Sequence, residues 1–275
     1  MTRIVSVELL LLGKRASTWI LLGIWAALAL TFAYVVPYVQ YTNDPTRTSL
    51  SDLLPESLVG TLMAGFPFFG GVLALMLGVL TVGSEYGWGT LRTLFTQGPG
   101  RLQVFGAKLI ALAVALAVFV LVAYALGAVS SSAIAAAEGA DVAWPSAWLL
   151  VRGLAGGWLI FAAWAALGML LAVLTRGTAL ATGIGILYAF VVEGLLSALA
   201  GEISMLDRLV EFFVRANGYS LVAVLGVSPD DIGDSSPGSF DGPFVAGGQA
   251  TLVLAAYTAA FVLVAALLLR RRDVV

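Results

Sequence analysis

Cysteine and histidine are both absent from the 275 residues, and these two gaps remove whole classes of chemistry. Without cysteine there is no disulfide framework, no thiol nucleophile and no thiolate metal site. Without histidine there is no Ser-His hydrolase, no His-Glu-x-x-His zinc protease, and little for a transition metal to bind. Charge is scarce as well, at 11% of residues, and lysine occurs only at Lys14 and Lys108. Neither lysine fits the phosphate-binding pattern Gly-x-x-x-x-Gly-Lys-Ser/Thr. Lys14 follows Gly13 but is followed by Arg15, with Glu8 where the earlier glycine is required, and Lys108 follows Ala107. The chain therefore lacks a nucleotide-hydrolysing motor of its own, and an intramembrane hydrolase is left without an activated nucleophile.

What the sequence has in abundance is apolar surface: 60% of residues are hydrophobic and the mean hydropathy is +1.01, far beyond an ordinary soluble domain. A bilayer crossing needs about 20 apolar residues. Six runs meet that length, at 17–37, 60–83, 103–129, 153–174, 179–200 and 249–269. Their apolarity is continuous rather than alternating, which predicts helices and not barrel strands. The expected fold is an all-α polytopic membrane protein, one transmembrane domain over 1–275, with the first run retained as an anchor.

Orientation follows from the basic residues. With the N-terminus inside, Arg3, Lys14, Arg15, Arg92, Arg101, Lys108, Arg176, Arg270, Arg271 and Arg272 lie on the inner face, ten of the 14. Arg47, Arg152, Arg208 and Arg215 lie outside. This asymmetry predicts cytoplasmic termini. Twelve acidic residues gather on the outer face, among them Glu138, Asp141, Asp207 and Glu211.

Along the chain, residues 3–15 mix charge with apolar residues and predict a short helix lying in the inner interface. Pro67, with Gly65, Gly70 and Gly71 beside it, predicts a kink in the second span. Lys108, near the inner end of the third span, is placed to snorkel toward water. Gly153, Gly156 and Gly157 allow close helix approach in the fourth. Glu193 is the one acid inside an apolar run, open to a gating or transport-path role or to a structural hydrogen bond. Residues 203–216 are amphipathic, with Asp207, Glu211 and Arg215 four apart. With the apolar stretch after Asn217-Gly218 they predict a helical hairpin dipping into the outer leaflet, followed by a flexible loop at 228–248.

The most informative stretch is Ser84-Glu85-Tyr86-Gly87-Trp88-Gly89-Thr90-Leu91-Arg92-Thr93-Leu94-Phe95, closed by Gly98-Pro99-Gly100-Arg101. Ser84 as cap and Glu85 in a first turn predict the start of a short surface helix with Leu91, Leu94 and Phe95 on its apolar edge. The pattern Glu-Tyr-x-x-Gly-Thr-Leu-Arg-x-x-Leu, then Gly-Pro-x-Arg, after the second of six spans resembles the permease subunits of ABC-2 type transporters. The resemblance implies that this loop is a coupling helix docking on a separate ATPase. Ser84, Glu85, Tyr86, Gly89, Thr90, Leu91, Arg92, Leu94 and Phe95 would form the contact, with Glu85, Gly89, Thr90 and Arg92 at the motif positions.

It also implies two ATPase copies holding ATP and Mg, no cofactor on this chain and a second permease subunit. Export across a bacterial plasma membrane is the expected activity, with Glu193 and Pro67 as candidates for the gate or path. Two alternatives stay open on sequence alone: a proton-coupled secondary transporter working through Glu193, and a non-conducting regulatory membrane subunit. Nothing in the chain points to nucleic acid.

Overall fold

The computed structural model describes residues 2–46, 48–87, 100–199, 204–227, 240 and 244–271. Gly89, Thr90, Leu91, Arg92, Leu94 and Phe95 of the expected coupling helix lie outside the described residues, as do residues 228–239 and 241–243 of the expected loop at 228–248. The described secondary structure is entirely helical, and six helices are long and apolar enough to cross a membrane.

The N-terminal helix α1 (Thr2–Lys14) ends at a bend and leads into the first span, α2 (Ala16–Asn43). Two 3₁₀ turns at Leu50–Leu53 and Pro55–Ser57 and a short helix α3 (Leu58–Met63) bring the chain to the second span, α4 (Phe66–Tyr86). The expected single run 60–83 is thus broken, and Pro67 is the cause. Proline has no N–H to give to the preceding turn. The chain resolves this with the turn Phe66–Gly70, in which the Gly70 N–H reaches back five residues to the Gly65 carbonyl at 3.1 Å.

The third span, α5 (Arg101–Glu138), has 38 residues and so a length of about 57 Å against a hydrocarbon thickness of about 30 Å. It continues nine residues past the expected end of the run at 103–129. Ala133, Ala135, Ala136 and Ala137 favour continued helix, and Gly139 stops it by adopting φ 65. Across from that stop, the Tyr38 hydroxyl donates to Glu138 Oε1 at 2.8 Å and joins the far ends of α2 and α5.

The fourth span, α6 (Ala147–Thr175), begins under a cap in which the Ser146 hydroxyl accepts the Leu149 N–H at 3.2 Å. A turn at 176–178 connects it to the fifth span, α7 (Ala179–Ser197), as the short spacing predicts. Two more helices follow, α8 (Ser204–Val210) and α9 (Val214–Val224), before the last span, α10 (Gly247–Arg271).

α4 and α6 are the centre of the bundle and far more deeply buried than α2, α7 and α10. Their closeness depends on two glycines. A Cβ on Gly78 would strike the Ala165 carbonyl oxygen, and one on Gly168 would strike that of Leu75. Backbone therefore meets backbone, at a contact that side chains would prevent. Toward the other end an aromatic group fills the centre: Phe66 stacks on Phe161 at 4.7 Å, and Trp25 meets both rings edge-on at 5.0 and 5.3 Å. The Trp25 indole N–H donates to the Phe119 carbonyl at 3.1 Å, so α2, α4, α5 and α6 all meet at this residue.

Candidate functional site

At one end of the bundle, the α1–α2 bend, the end of α4 and the start of α5 converge on Lys108. Its ammonium group donates to both Glu8 carboxylate oxygens at 2.9 Å and to Glu85 Oε1. Lys108, Glu85 and Glu8 are 2%, 3% and 4% exposed, so the triad is removed from water. Arg15 adds a second cation: its guanidinium donates to the Leu80 carbonyl at 3.0 Å and its charge acts on Glu85. Two acidic side chains thus meet two basic ones.

This arrangement corrects two expectations. Lys108 does not snorkel, because two carboxylates from α1 and α4 enclose it. Ser84 and Glu85 do not open a separate helix, since the helix of α4 runs on to Gly87. The Ser84 hydroxyl donates back to the Leu80 carbonyl at 2.8 Å, an intrahelical bond rather than a cap. Tyr86 packs partly buried against the core. The triad's members lie 23 and 100 residues apart in sequence, so spacing could not reveal it. The available signal was that Glu8 and Lys108 are isolated charges in apolar surroundings.

At the opposite end, Glu193 is fully buried. Its Oε1 accepts the Val214 N–H and its Oε2 the Arg215 N–H, both at 3.0 Å. A carboxylate is thereby fixed at the N-terminus of α9, where first-turn N–H groups have no partner within the helix and the dipole favours negative charge. Tyr188 hydrogen-bonds the same carboxylate from one and a half turns earlier in α7. Tyr188 belongs to a widened turn at Tyr188–Val192.

Pro67 reaches the same helix. A Cβ on Gly218 would lie 3.0 Å from the Pro67 Cβ, so α9 presses directly on the break in α4. The Arg215 guanidinium lies 4.9 Å from the Phe68 ring centroid and 5.6 Å from that of Tyr219. Burial holds the Tyr219 phenol above its ordinary range, which keeps it neutral. Of the residues singled out in the sequence, the structure brings Glu193 and Pro67 together on α9 and sets Ser84, Glu85 and Tyr86 at the other end.

The outer hairpin also departs from expectation. Its break is at residues 211–213, and Asn217-Gly218 lies inside α9. The fully buried Asn217 amide donates to the Glu211 and Phe213 carbonyls, both at 2.8 Å, satisfying acceptors that the break exposes. Arg215, in the first turn of α9, is buried.

Among known families, the one described as ABC-2 family transporter protein matches residues 4–192, a stretch running from α1 to the widened turn of α7. No match was found among the curated proteins.

Proposed function

This chain belongs to the ABC-2 transporter family, and from that premise we propose that it is the permease of an exporter driven by separate ATPase subunits docking on loop 84–101. It is a multi-pass membrane permease subunit. In the proposed assembly, residues 1–275 form one permease domain that pairs with a second copy or a close paralogue and with two ATPase subunits. ATP and Mg reside on those subunits, and both termini face the cytoplasm of a bacterial cell.

The Glu8–Lys108–Glu85 triad is the observation that carries this reading. The proposed docking loop 84–101 begins in the end of α4 and finishes at the start of α5, and the triad ties those two helix ends to each other and to α1. A push delivered to the loop therefore moves three elements as a block. At the far end, α4 and α7 each contain a widened turn, at Phe66–Gly70 and Tyr188–Val192. Such turns are points where a helix can bend. Both of them contact α9 or the residue that caps it, which suits α9 to serve as an outer gate moved by the spans. Glu193 gives each of its oxygens to α9 N–H groups, and this favours a mechanical role over carrying protons.

The test is co-purification of the tagged chain from its native membrane. A P-loop ATPase should accompany the wild type and be lost from an Arg92→Glu variant that still inserts. Equal recovery of the ATPase with that variant would overturn the docking assignment.

A further inference from the structure

We propose that the groove between α6, α9 and α10 is a binding site for an anionic phospholipid of the surrounding bilayer. The groove has a volume of about 390 Å³ and is walled by one stripe from each helix. α6 contributes Arg152, Ala155, Gly156 and Leu159, a spacing that sets them on one face. Leu221, Val224 and Leu225 of α9 form the second wall, and Gly247, Gly248 and Thr251 of α10 the third.

Small residues shape this space. A Cβ on Gly247 would meet Val224 at 2.9 Å and one on Gly156 would meet Leu225 at 3.1 Å, so these two glycines set how closely the helices pack. At Gly248 a Cβ would find nothing within 4 Å, which leaves room beside it. The hollow lies among apolar side chains on the periphery of the bundle, where an acyl chain can enter from lipid.

The polar feature of the groove selects the headgroup. Arg152 is exposed and, among the described residues, has no carboxylate within ion-pair distance. It stands five residues into α6, about 8 Å along the axis from the helix start. Trp144 and Trp148, 51% and 70% exposed, mark the interface level near that start. A guanidinium at this depth reaches the headgroup region and binds phosphate through paired N–H donors. The first turn of α10 opens onto the same groove and favours negative charge as well. An apolar slot with one cation at its polar mouth matches a lipid carrying a net negative headgroup better than a neutral one. This site stands whether or not an ATPase drives the chain.

The experiment is native mass spectrometry of the purified full chain released from nanodiscs holding equal amounts of phosphatidylglycerol and phosphatidylcholine. The wild type should retain phosphatidylglycerol preferentially. Arg152→Gln should lower that retention about tenfold, the effect of losing one charge-assisted hydrogen-bonded contact, without changing retention of phosphatidylcholine. Gly248→Phe, which adds a ring to the groove wall at a position where a Cβ would meet nothing within 4 Å, should lower retention of both, and Arg271→Gln at the other end should change neither. Thermal melting of each variant checks that the fold persists. Equal retention of the two lipids by the wild type, unchanged phosphatidylglycerol retention in Arg152→Gln and Gly248→Phe, or an equal loss in Arg271→Gln would each overturn the proposal.

Discussion

A single lysine organises one end of this protein, and its chemistry makes a sharp prediction. Removing one partner of a buried ion pair typically costs about 3–5 kcal/mol, because the remaining charge stays buried without compensation. Lys108→Met leaves Glu8 and Glu85 facing the same dry space, so its loss of stability should fall in that range, read as a lower midpoint in detergent unfolding. The triple variant Glu8→Gln/Glu85→Gln/Lys108→Met removes all three charges and should recover much of the loss. A Lys108→Met protein as stable as wild type would mean that the triad is open to water. Glu193 responds differently. Glu193→Gln keeps an oxygen for one α9 N–H, whereas Glu193→Leu keeps none, and the second should be the less stable by about 1–2 kcal/mol. Equal midpoints for the two would contradict the cap. The sequence revealed that Glu193 is unusual, because an acid inside an apolar run stands out from its neighbours. It gave no such sign for Glu85, which lies where a span ends and a loop begins and so reads equally well as exposed.

Among the helices, the pairing of α4 with α6 is the tightest, and it rests on Gly78 and Gly168. A side chain there would collide with backbone carbonyls, which cannot rotate away as a side chain can. Gly78→Leu and Gly168→Leu should therefore each cost about 1–3 kcal/mol or more through forced separation of the two central spans. Gly248→Leu, where the added Cβ meets nothing, should cost little. Equal unfolding midpoints for Gly78→Leu and Gly248→Leu would show that the close approach is unimportant. The six spans were legible, since continuous apolar runs of span length allow few other structures in lipid. The glycines that matter were not, because the chain has 31 of them and close approach depends on which backbone lies opposite. Pro67 was legible as a break because its effect is local. The position of the break in the hairpin was not, because it depends on Glu193 arriving from 21 residues away to cap α9.

Six crossings return the chain to the end from which it started, so α1 and the last turn of α10 share the Lys108 end of the bundle. The cytoplasmic orientation proposed for this end rests on charge. Arg15, Arg101, Lys108, Arg176, Arg270 and Arg271 cluster there, while Glu138 and Asp141 lie at the other end. Basic residues flanking the spans are held on the cytoplasmic side, and a docking loop for a soluble ATPase can function only there. The natural absence of cysteine makes this directly measurable, since a single introduced thiol is the only one present. Asp141 and Arg271 are both exposed and at opposite ends. In intact cells, Asp141→Cys should react with a membrane-impermeant maleimide, and Arg271→Cys should react only after the membrane is permeabilised. The reverse pattern would place loop 84–101 outside the cell, beyond the reach of ATP, and the coupling proposed for the Lys108 triad would fall with it.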